Sequence, residues 1–318
     1  MIDRRLSIAP MMDHTDKHFR YLMRLLTKHS ILYTEMITTG ALIFGNRKKF
    51  LDYNSNEHPI AIQLGGSNPK ELLECSCMAE NEGYNEVNLN IGCPSDRVQN
   101  GKFGACLMTE KELVAECVNN ISSNIKIPVS IKTRIGIDNH DSYDFLRDFI
   151  DTVNIAGCKT FIIHARKAIL KGLSPRENRK IPPLNYQRVY KIKKEFPDLN
   201  IIINGGFTEL NQIKSQLKYV DGVMIGRAAY QNPFLLSKID SLIFNKPERF
   251  VTRHNILEKY KIYTEKQTQE GVNIKNLTRH IIGLYQGQPG ARKYRQMLSG
   301  VIPKNYNQFF EEIIKTVT

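Results

Sequence analysis

A chain of 318 residues is long enough to bury a core without disulfide or metal staples. No stretch approaches the roughly 18 uninterrupted apolar residues of a membrane span, and the N-terminus lacks the apolar core of a signal peptide, so a cytoplasmic protein is expected. The six cysteines form no pair of Cys-x-x-Cys units and find no nearby histidine to complete a zinc set, which excludes a metal site from the expectations, whereas the net charge of +13 favours a polyanionic partner, nucleic acid first.

Short β-rich runs recur along the chain, each followed by a helical pattern. The first strand is Leu6 to Pro10, and a helix follows from an N-cap at Asp16 through Phe19, Leu22, Met23 and Leu26. Ile31 to Thr38 is the second strand. Ile60 to Leu64 is the third, ended by Gly65-Gly66, after which Asn68-Pro69 opens a helix. Val87 to Asn90 is the fourth, where Val87, Leu89 and Ile91 alternate with Asn88 and Asn90. Helix is expected over Glu110 to Ser123, strand over Val129 to Thr133, helix over Tyr143 to Ala156. Strands follow at Thr160 to His164, Ile201 to Asn204 and Gly222 to Ile225. Eight strands with intervening helices over about 230 residues match a (β/α)₈ TIM barrel. A doubly wound sheet is the alternative, but it needs no eighth strand and has a glycine-rich turn where Pro10-Met11-Met12 stands.

No further strands are visible after about Asn245. Ile256, Tyr260 and Tyr263 fall at helical spacing, as do Leu277, Ile281 and Leu284, and Gly287-Gln-Pro-Gly290 marks a turn. The expected division is a barrel over 1–243 and a small helical domain over 244–318. Residues 241–318 carry 13 basic and 6 acidic side chains, over half of the excess charge.

A parallel barrel places its active site at the carboxyl ends of the strands. Those ends hold Pro10, Met11 and Met12; Gln63; Asn90 and Cys93; Lys132; His164; Asn204, Gly205 and Gly206; and Gly226 and Arg227. Each alone has a bland explanation, a buried thiol or a satisfied core histidine. Their convergence on one mouth does not. Glycine pairs after strands seven and eight bare backbone N–H groups to an anion such as a phosphate. Arg227 adds charge-assisted hydrogen bonds. Lys132 and His164 suit a polar heterocycle that gathers negative charge, such as a reduced flavin, with Pro10 to Met12 covering one ring face.

These residues, together with Asn88-Leu-Asn-Ile-Gly-Cys-Pro94 and His164-Ala-Arg-Lys167, resemble the tRNA-dihydrouridine synthases in order and spacing. Ala165 to Leu184 and Gly283 to Arg292 are similar to the A-type branch. The resemblance implies an FMN-dependent barrel, a helical tRNA-binding domain and NADPH as reductant. It also implies D-loop uridines at tRNA positions 20 and 20a as substrate. Hydride would pass from FMN to C6 of the uracil and a proton from Cys93 to C5. A thiol with a reference pKa of about 8.5 is mostly protonated at neutral pH and can act as that acid. Asn90 would hold the base, which must leave its stack to lie between thiol and flavin. The loop after strand six carries Arg166, Lys167, Lys171, Arg176, Arg179 and Lys180 against Glu177. Arg176 and Arg179, with Arg292 and Arg295 on one face of a tail helix, are expected to hold tRNA phosphates. Monomeric action is the simple expectation. One rival is an FMN enzyme acting on a free pyrimidine, for which the basic loop and tail have no use. Another is a tRNA binder on a decayed barrel, which the intact mouth opposes.

Overall fold

Runs of β-branched and aliphatic residues, stopped by glycine, proline or asparagine, form the strands of this protein. The computed structural model describes residues 2–303 and 306–317. Eight parallel strands close in chain order: β1 (Leu6–Ile8), β2 (Ile31–Thr38), β3 (Ile60–Gly65), β4 (Glu86–Ile91), β5 (Val129–Arg134), β6 (Thr160–His164), β7 (Asn200–Asn204) and β8 (Gly222–Ile225). β1 pairs with both β2 and β8, which completes the TIM barrel.

Local signals set most helix ends. Asp16 accepts the N–H groups of His18 and Phe19 at 3.0 Å each and starts the helix Lys17–Leu26. Asn68 caps the helix Pro69–Glu82, which Gly83 ends at φ +97°. After β2, two short helices, Thr39–Phe44 and Arg47–Leu51, stand in place of one long one. Among the described residues no helix is long and apolar enough to cross a membrane.

Two apolar layers follow from the strand alternation. The outer layer, between strands and helices, includes Phe19, Leu22, Ile62, Leu89, Ile131 and Phe161, all buried. The inner one is a small cluster of Ala9, Ile31, Tyr33, Ala61, Ile162, Ile202 and Met224. The rest of the barrel interior is polar, with Gln63, Glu86, Asn88 and Ser130 all buried.

The tail contributes helices Arg253–Gln269, Ile274–Thr278, Ala291–Ser299 and Tyr306–Val317. One expectation fails here. Leu277, Ile281 and Leu284 are buried together, but the helix stops at Thr278. Beyond it the chain turns tightly, with Leu284 N–H donating to Ile281 O at 2.9 Å and Gln286 N–H to Gly283 O at 3.0 Å. Gly283 lies so close to the barrel that a Cβ there would sit 2.5 Å from Gln231 O. Backbone docking sets this segment, and the apolar spacing survives without the helix.

The tail packs on the first barrel helix. Tyr263 stacks on Tyr21 with ring centroids 3.8 Å apart, and its hydroxyl meets His18 Nδ1 at 2.8 Å. Asp16 also accepts from Arg279 of the tail at 2.6 Å and contacts His280 Nε2 at 3.0 Å.

Candidate active site

The carboxyl ends of the strands surround a cavity of about 820 Å³, within the range of small-molecule and cofactor sites. Alternation decides what reaches it. On β4 the inward positions are Glu86, Asn88 and Asn90; on β5 they are Ser130, Lys132 and Arg134. Register sets Asn90 beside Lys132, and Arg134, His164, Asn204 and Met224 in one row across β5 to β8.

Cys93 lies on the turn that leaves β4 and lines the cavity. Its own N–H donates to Asn90 Oδ1 at 2.9 Å, and that of Gly92 to the same oxygen at 3.1 Å. Its carbonyl accepts from Ala105 N–H at 2.9 Å. Gly104 permits this approach, because at φ +76° a Cβ would fall 2.6 Å from Cys93 O. Its thiol has Ser95 Oγ at 3.5 Å. The turn is therefore pinned from both sides. Asn90 does much of the pinning, since its amide nitrogen also donates to Gln63 Oε1 at 2.9 Å. One Asn90 N–H remains to meet a ligand.

The opposite rim is built from backbone. Gly205 and Gly206 have φ of +122° and +84°. A Cβ on Gly205 would lie 2.9 Å from both the His164 ring and Leu184, and one on Gly206 would lie 2.7 Å from Tyr186 Oη. Only glycine leaves this cradle open. Asn204 braces it by donating to Met224 O at 2.7 Å. Gly226 and Arg227 follow β8, and Arg227 donates to Arg179 O at 3.3 Å. Pro10, Met11 and Met12 form the wall after β1, with Met12 half exposed.

Positive charge gathers between the two rims. Lys132 makes no hydrogen bond or ion pair within the protein among the described residues. Burial, and then Arg134, pull its ammonium down to about 8. Burial, followed by Arg134 and Lys132, holds His164 well below the ordinary histidine value. The His164 ring is thus neutral near pH 7 and offers a hydrogen bond rather than a charge. Arg134 escaped the sequence reading. It is buried, pulled down to about 10 by burial, and faces no carboxylate. It donates instead to three carbonyls, Gly92 at 2.8 Å and Lys167 and Asn178 at 3.1 Å each. It ties the Cys93 turn to the loop after β6. Its position two residues beyond Lys132 on the same strand face was the available signal.

The four expected phosphate contacts separate. Arg179 lines the cavity, and burial lowers its guanidinium pKa. Arg176 is exposed on the same loop and does not line it. Arg295 lines a second groove of about 610 Å³ between tail and barrel, shared with Arg279, Tyr230 and Gln231. Arg292 is exposed outside that groove, in the first turn of its helix.

Three comparisons bear on this arrangement. Residues 7–317 match the family model described as dihydrouridine synthase. The chain is 56% identical over 304 residues to a tRNA-dihydrouridine(20/20a) synthase of Shewanella oneidensis, covering 96% of this chain and 90% of that protein. It is 53% identical over 296 residues to the protein of that name from Escherichia coli K12, covering 93% and 86%. Two solved structures share the fold: histamine dehydrogenase from Rhizobium sp. 4-9 and 2-naphthoyl-CoA reductase in complex with 2-naphthoyl-CoA. The first has a TM-score of 0.54 at 13% identity and covers 76% of this chain and 47% of that one. The second has a TM-score of 0.57 at 12% identity and covers 74% and 49%.

Proposed function

The chain belongs to the dihydrouridine synthase family, and from that premise we propose that it reduces uridine to 5,6-dihydrouridine in the D-loop of tRNA, at positions 20 and 20a, with FMN as cofactor and NADPH as reductant. The observation that carries this reading is the cavity itself. A thiol on a pinned turn and an open glycine cradle face the same space, with an unpaired ammonium between them.

The residues fit a flavin mononucleotide. The Gly205–Gly206 backbone, Gly226 and Arg227 would hold its phosphate, and a side chain on either of the paired glycines would close that space. Lys132, His164 and Gln63 would meet the polar edge of the ring system, and Pro10 to Met12 one of its faces. When bound, the flavin, reduced by NADPH, supplies the hydride that reaches C6 of the uracil.

The protein supplies the proton. The S–H bond of Cys93 breaks as a C–H bond forms at C5, and the sulfur keeps the electron pair. Lys132 stands beside Asn90 on the adjoining strand and Arg134 donates to Gly92 O, so positive charge borders the turn on which negative charge develops. The free N–H of Asn90 holds the base beside the thiol. The base arrives unstacked, which a loop uridine does at small cost. Arg179 meets phosphate at the mouth, while Arg295 in the second groove, with Arg176 and Arg292 on the surface, extends the contact along the RNA. We divide the labour between a catalytic barrel, 1–243, and an RNA-holding helical domain, 244–318, acting as a monomer in the cytoplasm.

A nucleoside digest of tRNA from a strain lacking the protein tests the reading. Dihydrouridine at 20 and 20a is expected to disappear and to return with the wild type but not with Cys93→Ala. Reduction of free uracil with tRNA left untouched would overturn it in favour of a small-molecule reductase.

A further inference from the structure

The polar half of the barrel interior is one continuous chain of hydrogen bonds. At its foot the Glu86 carboxylate pairs with Arg4 at 2.5 Å and accepts from Tyr33 Oη at 2.7 Å. It also accepts from the Ser130 hydroxyl. Ser130 Oγ accepts from Asn88 Nδ2 at 2.8 Å, and Asn88 Oδ1 from Gln63 Nε2 at 2.8 Å. Gln63 Oε1 accepts from Asn90 Nδ2 at 2.9 Å. Asn90 Oδ1 ends the chain on the N–H groups of Gly92 and Cys93. Glu86, Ser130, Asn88 and Gln63 are all buried, so each polar group depends on its neighbour in the chain for its hydrogen bond.

The direction of this chain is fixed by its ends. Two backbone N–H groups can only donate, so Asn90 must turn its oxygen to them and its nitrogen to Gln63. A carboxylate can only accept, so Ser130 must spend its hydrogen on Glu86 and take one from Asn88. Both ends force the same orientation on Asn88 and Gln63 between them. An amide that flipped anywhere along the chain would set donor against donor or acceptor against acceptor.

We propose that Glu86, Ser130 and Asn88, none of which lines the cavity, are positioning residues. Through the orientation they impose on Gln63 and Asn90, they aim the Cys93 turn. The step they serve is the proton transfer proposed above, and the inference rests on that reading.

Ser130→Ala removes the middle link and leaves the foot ion pair in place. It is expected to lower kcat on tRNA by about 10- to 100-fold, the scale of a slight misplacement of a reacting group, with KM for tRNA within about twofold. Amide hydrogen exchange at Gly92 and Cys93 is expected to quicken at least about tenfold while the other β4 amides hold their protection. Ser130→Thr restores the hydroxyl and is expected to recover both readouts. Asn88→Asp, which cannot donate to Ser130, is a second variant with the same expected pattern should Ser130→Ala fold poorly. Wild-type kcat and wild-type exchange at Cys93 in either variant would overturn the proposal. So would exchange that quickens evenly along β4 in step with a lowered melting temperature, the mark of a merely structural role. Exchange is read without substrate, so the proposal can stand or fall even if the wild type leaves tRNA unreduced.

Discussion

The two halves of the barrel interior solve the same problem in opposite ways. Across β3 to β5 the interior is amide, hydroxyl and carboxylate, and side chains hold other side chains up to Cys93. Across β6 to β8 and β1 it is mainly apolar, with Ile162, Ile202, Met224 and Ala9 outnumbering the buried Thr160 and Ser7, and at the rim glycine backbone takes over. Under the proposed function the thiol must be aimed, and its half of the barrel is wired. The cofactor phosphate proposed for the other half needs only N–H groups and space, and that half has packing beneath and bare backbone above.

The first way to break this contrast is at the thiol. Cys93→Ala is expected to lower dihydrouridine formation by about 10²- to 10⁴-fold, the usual contribution of a general acid, with flavin content unchanged. A variant that lost flavin as well would show that the halves are not separable. The second strikes the cradle. Gly205→Ala places a side chain at φ +122° and into His164 and Leu184, a strain of about 1–3 kcal/mol. FMN binding to the apoprotein is expected to weaken by about 5- to 150-fold, as read by fluorescence titration, while exchange protection at Cys93 stays unchanged.

A third prediction concerns pH. Burial lowers Lys132 to about 8, so its charge is present below that pH and lost above it. FMN affinity is expected to fall by up to about tenfold per unit as pH rises through about 8. Lys132→Gln should flatten that slope. His164 is already neutral there and should leave the slope alone when changed to Gln. The smallest effects lie outside the cavity. Arg179→Glu and Arg292→Glu are each expected to reduce the salt slope of tRNA affinity by about one. Arg179 should give the larger loss of affinity, because it lines the cavity and Arg176 and Arg292 do not. Unchanged slopes would remove the phosphate clamp from the model of function.

Sequence legibility followed the same division. Strands such as Thr160–His164 and Gly222–Ile225 were visible to the residue, because parallel strands buried on both faces read as uninterrupted apolar runs. The glycine pairs were equally plain, since their role is local. The wired half was not. Asn88 appeared as the polar beat of an alternating strand and as the first residue of the Asn88–Pro94 motif, with no partner to explain it, and Ser130 and Glu86 as nothing at all. Their meaning lies in cross-strand register, Asn88 beside Ser130 and Gln63 beside Asn88, which one strand's sequence does not contain. Arg134 was missed because its partners are carbonyls, and any residue type supplies those. In the tail, the spacing of Leu277, Ile281 and Leu284 recorded burial correctly but conformation wrongly, because Gly283 is shaped by a surface some 50 residues away in sequence.

Asp16 serves two masters. With one oxygen it caps the first barrel helix, a few residues beyond the Met11–Met12 wall of the cavity, and with its carboxylate it grips Arg279 of the tail. Burial alone would raise its pKa, yet the His280, Phe19 and Arg279 contacts hold the carboxyl far below its usual range. Barrel and tail thus meet on one carboxylate, beside the Tyr21–Tyr263 stack and the close approach of Gly283 to Gln231. If the tail holds RNA as proposed, the same carboxylate links that grip to the helix that follows the cavity wall.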